Sequence, residues 1–166
     1  MLQKTDVKDL KNNVFSLVGD EWMLITAGGD TVNTMTASWG GLGIMWGEPC
    51  ATVYIRPQRY TKEFVDREEY FTLSFFAPEY KKQLSLCGSK SGREVDKVSE
   101  CGFTVARTQQ GAPYFEQARL VLVCRKLYAQ DMDGAAMPAE VREKWYPNQD
   151  YHTMYMGQIV EAYTQE

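Results

Sequence analysis

The segment VNTMTASWGG, residues 32–41, places small polar side chains where a buried strand would normally carry valine or isoleucine. Asn33, Thr36 and Ser38 offer amide and hydroxyl groups, and their small size lets a flat ligand approach the backbone N–H and C=O groups. Trp39 supplies a ring that can cover one face of such a ligand. The composition is typical of a strand that binds a planar molecule, and an edge strand with solvated hydroxyl groups explains it equally well.

A second polar stretch, RPQRYT at residues 56–61, lies between a predicted strand and a predicted helix. Arg56 and Arg59 supply guanidinium groups, Thr61 supplies a hydroxyl, and a helix start leaves backbone N–H groups free for an anion. Together these donors suit one phosphate group better than they suit a solvated turn. Because the net charge is -4, the protein repels polyanions, and a small phosphorylated cofactor is the better ligand.

A polar strand, an aromatic wall and a phosphate site one strand later are what a flavin mononucleotide (FMN) requires. The glycine-bearing segments add little by themselves. Residues 88–92, GSKSG, have the wrong spacing for a P-loop, although their N–H groups and Lys90 can form an anion nest. A solvated turn between helices explains that segment as well. Gly41-x-Gly43 lacks the third glycine of a dinucleotide fingerprint.

The residues that usually bind metals are few. There is one histidine, His152, and the four cysteines, at positions 50, 87, 101 and 124, form no Cys-x-x-Cys pair. This pattern predicts no metal site and no disulfide framework. It also disfavours a Ser-His-Asp hydrolase, unless His152 is its base. Cys87 stands before the GSKSG turn as a possible reactive thiol, but a buried, inert cysteine is the favoured interpretation.

Length and composition predict a single globular domain over residues 1–166, because 44% of the residues are apolar and 13% are aromatic. No apolar run approaches the roughly 20 residues of a membrane helix. The charged N-terminus has no signal-peptide pattern. We therefore expect a cytoplasmic protein that binds neither membrane nor nucleic acid.

The elements that must position these residues are mostly strands. We predict strands at residues 14–18, 22–27, 31–38, 50–55, 70–76, 103–107, 118–128 and 154–163. Short helices are predicted in the first dozen residues and at residues 61–66, 78–86, 95–101 and 138–145, with Thr61 as an N-cap and a glycine-rich loop at residues 40–49. Because strands and helices do not alternate regularly, the order favours a mainly β, antiparallel Greek-key barrel with inserted short helices.

Four blocks of the sequence, NTMTASWGG, RPQRYTKEF, CGSKSGREVDK and HTMYMGQIVEA, resemble the flavoredoxin-like branch of the flavin reductase family, the FMN-binding split barrels. They occur in the expected order over residues 22–162. The resemblance implies a split-barrel Greek-key fold, a homodimer, and FMN bound without a covalent bond near the dimer interface.

The resemblance also implies which residues surround the cofactor. The ring and ribityl chain would lie against Asn33, Met35, Thr36, Ala37, Ser38 and Trp39. The phosphate and its approach would be surrounded by Arg56, Arg59, Tyr60, Thr61, Ser89, Lys90, Ser91 and Lys97, with Arg93 as a further candidate. His152 would lie near the open face of the ring, as a hydrogen-bond donor in catalysis or as a structural histidine.

The activity implied by the resemblance is hydride transfer from NAD(P)H to bound flavin, followed by electron transfer to a flavin, a metal or a protein. Because no Rossmann motif is present, the nicotinamide would bind transiently over the flavin. A non-enzymatic FMN electron carrier, reduced by a partner protein, needs the same pocket. A third alternative is a split barrel that binds another cofactor or has lost activity.

Overall fold

The protein is built on an antiparallel β-sheet, as a computed structural model describing residues 1–165 shows. Eight strands form one sheet and two short strands form another. The strands are β1 (Gln3–Thr5), β2 (Met23–Ala27), β3 (Asn33–Ala37), β4 (Gly40–Met45), β5 (Glu48–Ile55), β6 (Tyr70–Phe75), β7 (Val105–Arg107), β8 (Pro113–Phe115), β9 (Leu120–Asp131) and β10 (Thr153–Thr164).

The large sheet has the strand order β3-β2-β6-β9-β10-β5-β4, and β1 also pairs with β10. Every strand pairing is antiparallel. Several neighbours, such as β2 with β6 and β5 with β10, are distant in the chain, which is the connectivity of Greek-key folds. The prediction of a mainly β, antiparallel fold is confirmed.

Short helices lie between the strands, as predicted. They are α1 (Val14–Ser16), α2 (Thr61–Arg67), α3 (Lys81–Ser89), α4 (Lys97–Cys101) and α5 (Ala139–Trp145), with single 3₁₀ turns at Val7–Asp9, Pro78–Tyr80 and Gly134–Ala136. Within residues 1–165, none of these helices has the length and apolar character needed to cross a bilayer.

The sheet separates two hydrophobic cores. On β9, Leu120, Leu122 and Cys124 belong to the inner core, while Val121 and Val123 pack in the outer core. The outer core is completed by α3, α4 and the β7–β8 hairpin. Central strands buried on both faces are nearly continuous apolar runs, which is why LVLVC was recognisable as a strand.

Two element predictions were wrong because of local backbone chemistry. Residues 14–18 are helical, since the Asn13 side chain accepts hydrogen bonds from the N–H groups of Phe15 and Ser16 and so caps α1. A π-helical turn at Leu17–Glu21 continues the helix. The first dozen residues also differ from the predicted short helix, because they contain β1 before the 3₁₀ turn.

The glycine-rich segment at residues 40–49 is a strand and a tight turn, and not the predicted loop. Residues of β4 pair with β5, and Trp46 and Gly47 make the turn with φ of 52° and 79°. Both central residues have positive φ, as in the hairpin turns that match the strand twist. The three glycines of β4 hid its strand character, since glycine has low β propensity.

The start of α2 and the end of α3 also differ from the predictions. Thr61 is the first residue of α2, and the preceding residue, Tyr60, makes no side-chain capping bond. Thr61 is therefore inside the helix and is not the predicted N-cap. Its hydroxyl accepts a hydrogen bond from Asn33 on β3. Helix α3 continues beyond residue 86 to Ser89, so the first glycine of GSKSG is helical.

Candidate cofactor-binding site

The N-terminal end of β3 is fixed to α2 by two buried polar side chains. Asn33 Nδ2 donates a hydrogen bond of 2.8 Å to Thr61 Oγ1, and both residues are buried. A polar pair inside a protein is retained where both groups find partners. These two predicted cofactor-binding residues therefore meet, and their side chains hold β3 against the start of α2.

Two basic side chains meet at the C-terminal end of α3. Arg59 donates hydrogen bonds to the carbonyl oxygens of Gly88 (2.8 Å) and Cys87 (3.2 Å). Lys97 Nζ donates to the same Cys87 oxygen (2.9 Å) and to the carbonyl oxygen of Thr34 on β3 (2.8 Å). We call Arg59 and Lys97 the cationic pair, and the structure brings both together as the sequence predicted.

The cationic pair has no carboxylate partner. Among the described residues, neither side chain takes part in a salt bridge, although Lys97 is only 4% exposed. Burial and, second, the nearby Arg59 lower the pKa of Lys97 to about 8. Burial also lowers the pKa of Arg59. A buried ammonium beside a half-buried guanidinium, without an acid, raises the free energy of the site, and an anionic ligand would lower it.

A cleft of about 720 Å³ opens beside the cationic pair. Asn33, Tyr60 and Lys97 line it, together with residues 92–96 of the α3–α4 loop, which we define as residues 90–96. Gly92 of this loop lies so close to Asn33 that an added Cβ would sit 2.0 Å from Asn33 Oδ1. The absence of a side chain at this position therefore lets the loop lie against β3.

The loop is also fastened to the residues around Tyr60. The guanidinium of Arg93 lies 4.5 Å from the centre of the Tyr60 ring and forms a salt bridge with Glu63. The structure thus gives Arg93 an acidic partner, unlike the cationic pair. Ser91 accepts a hydrogen bond from the Arg93 N–H, and Ser89 donates a long bond of 3.4 Å to Leu86 O.

Lys90 follows α3 directly and is exposed, and so is Ser89. Ser91 is half-buried. These three predicted residues stand at the base of the α3–α4 loop, on the side of the molecule that carries the cationic pair. The hydrogen bonds of the Ser89 and Ser91 side chains join residues two or three positions away in the chain.

Side chains in the middle of β3 alternate between the two faces of the sheet. Met35 is buried in the inner core and Ala37 packs beside it. On the opposite face Thr36 donates a hydrogen bond to Leu84 O of α3. Ser38, just after the strand, is half-buried. The side chains of Met35 and Thr36 thus face protein on both sides, so a ligand along β3 would contact mainly its backbone and its C-terminal end.

Beyond the end of β3 the chain enters an aromatic cluster, which we define as Trp39, Trp145, Tyr146 and His152. The Trp39 ring lies 5.1 Å from Trp145 in an edge-to-face arrangement and 5.4 Å from His152. Tyr146 OH is 2.6 Å from His152 Nδ1. The two tryptophans are 40% and 42% exposed, whereas the histidine is buried. A planar ligand that approaches from solvent would therefore contact the tryptophan rings before the imidazole of His152.

Burial and, second, Arg56 lower the pKa of His152 to about 4, against a smaller opposing effect of Asp150. His152 is therefore neutral near pH 7, and one ring nitrogen is occupied by Tyr146. A neutral imidazole with one nitrogen engaged can offer the other for a single hydrogen bond, and it adds no charge to the site.

The structure directs Arg56 to the aromatic cluster and away from the cationic pair. Its guanidinium forms a salt bridge of 2.9 Å with Asp150, donates to Trp145 O, and lies 4.9 Å from the centre of the Tyr146 ring. Arg56 thus fixes the segment after α5. Arg56 and Arg59 do not converge on one phosphate position, contrary to the prediction from the sequence.

Strand β3 joins the two ends of the candidate site. Asn33 stands at the cationic pair and Trp39 in the aromatic cluster, and six residue steps span about 20 Å at roughly 3.3 Å per residue. The arrangement suits an elongated ligand with an anionic end and a planar aromatic end. The resemblance implies that Asn33, like Trp39, lies beside the ring and ribityl chain, whereas the structure places Asn33 at the cationic pair.

Three residues of the site were not recognised in the sequence. Tyr146 carries the hydrogen bond to His152, Trp145 packs on Trp39, and Gly92 admits the α3–α4 loop. Trp145 and Tyr146 reach the site from the end of a surface helix more than a hundred residues after β3, which no local pattern signals. Gly92 is an ordinary glycine in the sequence, and only the distance to Asn33 shows its role.

Comparison with known proteins gives a family match. Residues 16–166 match the family model described as the flavin reductase like domain. No curated protein matches the chain.

Several solved structures share the fold. Flavoredoxin from Methanosarcina acetivorans superimposes with a TM-score of 0.72 at 22% identity, over 98% of this chain and 77% of that one. An FMN-binding protein from Thermus thermophilus gives 0.71 at 21% identity, over 99% and 82%. An NADH:FAD oxidoreductase from Streptomyces globisporus gives 0.66 at 16% identity, over 87% and 75%. At these identities the likeness establishes the fold, which confirms the predicted split barrel.

Proposed function

Because the chain belongs to the flavin reductase like family, we propose that it binds FMN along β3 and moves electrons through this cofactor. The observation that carries the proposal is the cationic pair, in which the buried Lys97 and the half-buried Arg59 share a carbonyl oxygen and lack a carboxylate partner among the described residues. It provides the charge that an anionic cofactor needs at one end of an elongated site.

The donor set fits a phosphate monoester. An ammonium has three N–H donors and a guanidinium has five, while two of each are used by carbonyl oxygens. The remaining donors of Arg59 and Lys97 would hold the phosphate. A terminal phosphate carries a charge of about -1.5 to -2 at pH 7, which the two cations match better than the single charges of a diester. This argument favours FMN over FAD.

When bound, FMN supplies hydride acceptance and stepwise electron release, so the chemistry belongs to the cofactor. The protein positions it. The backbone of β3 and the half-buried Ser38 would hold the polar edge of the ring, and Trp39 would cover one face and exclude water. His152 would keep its free ring nitrogen available for one hydrogen bond, because Tyr146 fixes its orientation.

We propose a reductase that takes hydride from NADH or NADPH and passes electrons to a flavin, a metal or a protein. The exposed Trp39 and Trp145 beside His152 support this choice, because they leave a planar aromatic surface accessible to a second ring. The second candidate, an electron carrier reduced by a partner protein, is favoured by the likeness to flavoredoxin. Stopped-flow mixing of the FMN-loaded protein with NADH and NADPH separates the two.

Prompt bleaching of the flavin absorbance by either nucleotide supports the reductase. No bleaching over minutes, with normal reduction by dithionite, supports the carrier. In the reductase, His152→Asn should slow flavin reduction more than it weakens FMN binding, because His152 lies in the aromatic cluster and not at the cationic pair. Equal effects on both quantities would assign His152 a structural role.

We further propose that the protein is a homodimer of single-domain chains, residues 1–166, that acts in the cytoplasm. The exposed apolar tip of the β4–β5 hairpin supports the dimer. The four free cysteines support a reducing compartment.

FMN titration tests the cofactor assignment. Arg59→Ala should weaken FMN binding by about 1.5–3 kcal/mol, roughly 10- to 150-fold in Kd, since it removes charge-assisted hydrogen bonds. Arg119→Ala is a control, because Arg119 is likewise a half-buried arginine that donates to a backbone carbonyl, but its partners are Phe76 O and Glu21, away from the cationic pair. Equal affinity in wild type and Arg59→Ala would remove Arg59 from the site.

A further inference from the structure

Two cysteines meet beneath the α3–α4 loop. Cys87 lies near the end of α3 and Cys101 is the last residue of α4, and their sulfur atoms are 3.6 Å apart. Both are free thiols, with Cys87 fully buried and Cys101 9% exposed. The other two cysteines, Cys50 and Cys124, lie on β5 and β9, which are separated by β10.

We propose that Cys87 and Cys101 form a reversible disulfide that closes the α3–α4 loop at its base in response to peroxide. The inference rests on the contact between the two thiols and on their position in the two helices that flank the loop. The bond requires the sulfur atoms to approach from 3.6 Å to about 2.05 Å. Side-chain rotation and a small shift of the short helix α4 provide this movement.

The same two helices hold the cationic pair in place. The carbonyl oxygen of Cys87 accepts hydrogen bonds from Arg59 and Lys97, and Lys97 lies four residues before Cys101 on α4. Residues four apart share one face of a helix. A bond between Cys87 and Cys101 therefore ties together the segment that supplies the carbonyl oxygen and the helix that supplies Lys97.

Hydrogen peroxide is the oxidant, and the steps balance. The Cys101 thiol, the more exposed of the two, loses its proton, and the thiolate attacks one peroxide oxygen; the O–O bond breaks, a sulfenic acid forms, and the departing hydroxide takes up the released proton to give one water. The Cys87 thiol then attacks that sulfur, the S–S bond forms, and the second water leaves. The two sulfur atoms together lose two electrons, which reduce the peroxide. Burial raises the pKa of both thiols, so the reaction is slow and needs transient opening of α4.

Closing the loop has a consequence that rests on the proposed function. The α3–α4 loop carries Lys90 and Ser91 and lies against Asn33 and Tyr60. A covalent link at its base reduces the freedom that the loop loses when it orders around a ligand. The oxidised protein should therefore release FMN more slowly than the reduced protein.

Peroxide treatment followed by tryptic digestion and mass spectrometry without reductant tests the disulfide. Trypsin cleaves after Lys82, Lys90, Lys97 and Arg107, so residues 83–90 and 98–107 should appear as one linked species, lighter than their sum by two hydrogen atoms. Dithiothreitol should separate them. Cys50→Ser should behave like the wild type, and Cys101→Ser and Cys87→Ala should each abolish the linked species. Its absence in folded wild type, or linkage to Cys50 or Cys124 instead, would overturn the proposal.

The rate of FMN release tests the consequence separately. Oxidised wild type should release FMN at about one third of the rate of the reduced protein, or more slowly still. Treated Cys101→Ser should keep the reduced rate. If the disulfide forms but the rate of FMN release does not change, the link to the cofactor is overturned, and the disulfide itself still stands. No FMN binding in either state overturns the proposed function and leaves the disulfide result standing.

Discussion

Lys97 is a buried cation whose nearest described partners are two carbonyl oxygens and another cation. Carbonyl dipoles compensate a buried ammonium only in part, so the charged form is disfavoured and the pKa falls to about 8. A dianionic phosphate at the cationic pair would favour the charged form. Binding is then linked to proton uptake by Lys97.

We expect FMN affinity to fall as the pH rises through about 8. The free protein changes from mostly charged Lys97 at pH 7 to mostly neutral at pH 9, while the phosphate is already a dianion. If only the charged form binds well, the Kd should increase about tenfold between pH 7 and 9. Fluorescence titration of FMN across this range measures the effect.

Lys97→Met is the control for this pH dependence. Its FMN affinity should be low at pH 7 and nearly constant up to pH 9, because no group at the site titrates. A wild-type Kd that stays constant over the same range would show that Lys97 does not face the phosphate.

His152 is buried as a neutral imidazole, and this links the stability of the fold to pH. Its pKa is about 4 in the folded protein and 6.5 in its ordinary state, so the unfolded chain binds the proton more strongly. The stabilising contribution is present above pH 6.5 and is lost as the pH falls toward 4. Lowering the pH from 7 to 5 should therefore reduce the free energy of unfolding by about 2 kcal/mol.

Urea unfolding at pH 7 and 5 measures this loss. His152→Asn should lose about 2 kcal/mol less than the wild type over the same interval, because asparagine does not titrate. The comparison uses the change with pH and not the absolute stability, so a destabilised variant remains informative. Equal pH dependence in both proteins would show that His152 is protonated in the fold.

At the scale of single residues, type and position were predictable but partners were not. Lys97 and Arg59 were assigned to the phosphate region by family resemblance, and they do meet. Arg56 was assigned there as well, yet Asp150 binds it at the other end of β3. Ion-pair partners distant in the chain depend on tertiary packing, which leaves no local trace in the sequence.

Among the elements, the α3–α4 loop depends on one glycine. A methyl group at Gly92 would come within 2.0 Å of Asn33 Oδ1 and 3.1 Å of the Tyr60 ring. The loop or β3 must move, and overpacking of this kind costs typically about 1–3 kcal/mol. Gly92→Ala should lower the free energy of unfolding by this amount and weaken FMN binding at the cationic pair.

Gly43→Ala is the matched control, because an added Cβ at Gly43 on β4 meets nothing within 4 Å. It should leave FMN binding unchanged and the stability equal or slightly greater. Denaturant unfolding and FMN titration of both variants measure the two effects. If Gly92→Ala matches the wild type in both assays, the loop does not need its close approach to β3.

The element predictions succeeded where hydrophobic residues set the pattern. Strand β6 and the first five residues of β9 were recognisable because both of their faces are buried. Strand β4 was missed because its glycines lower the propensity signal while pairing with β5 still forms the strand. Helix α1 was missed because one capping asparagine outweighs the strand preference of the following Val-Phe-Ser-Leu-Val.

At the scale of the whole molecule, the tip of the β4–β5 hairpin carries three consecutive exposed apolar side chains. Ile44 is 69% exposed, Trp46 is 59% exposed, and Met45 lies between them. The hairpin belongs to an edge strand, since β4 ends the order of the large sheet. Exposed apolar edges are usually covered in solution, because they otherwise promote association.

We expect a homodimer at micromolar concentration and loss of the dimer in Ile44→Glu. A carboxylate buried in an apolar contact without a partner costs several kcal/mol, about 10³-fold in the dimerisation constant for 4 kcal/mol. Val141→Glu, which changes an exposed apolar residue on α5, should remain dimeric. Light scattering measures the mass, and circular dichroism confirms that the variants fold. A monomeric wild type would mean that the hairpin tip is exposed for another reason, and that any FMN site is complete within one chain.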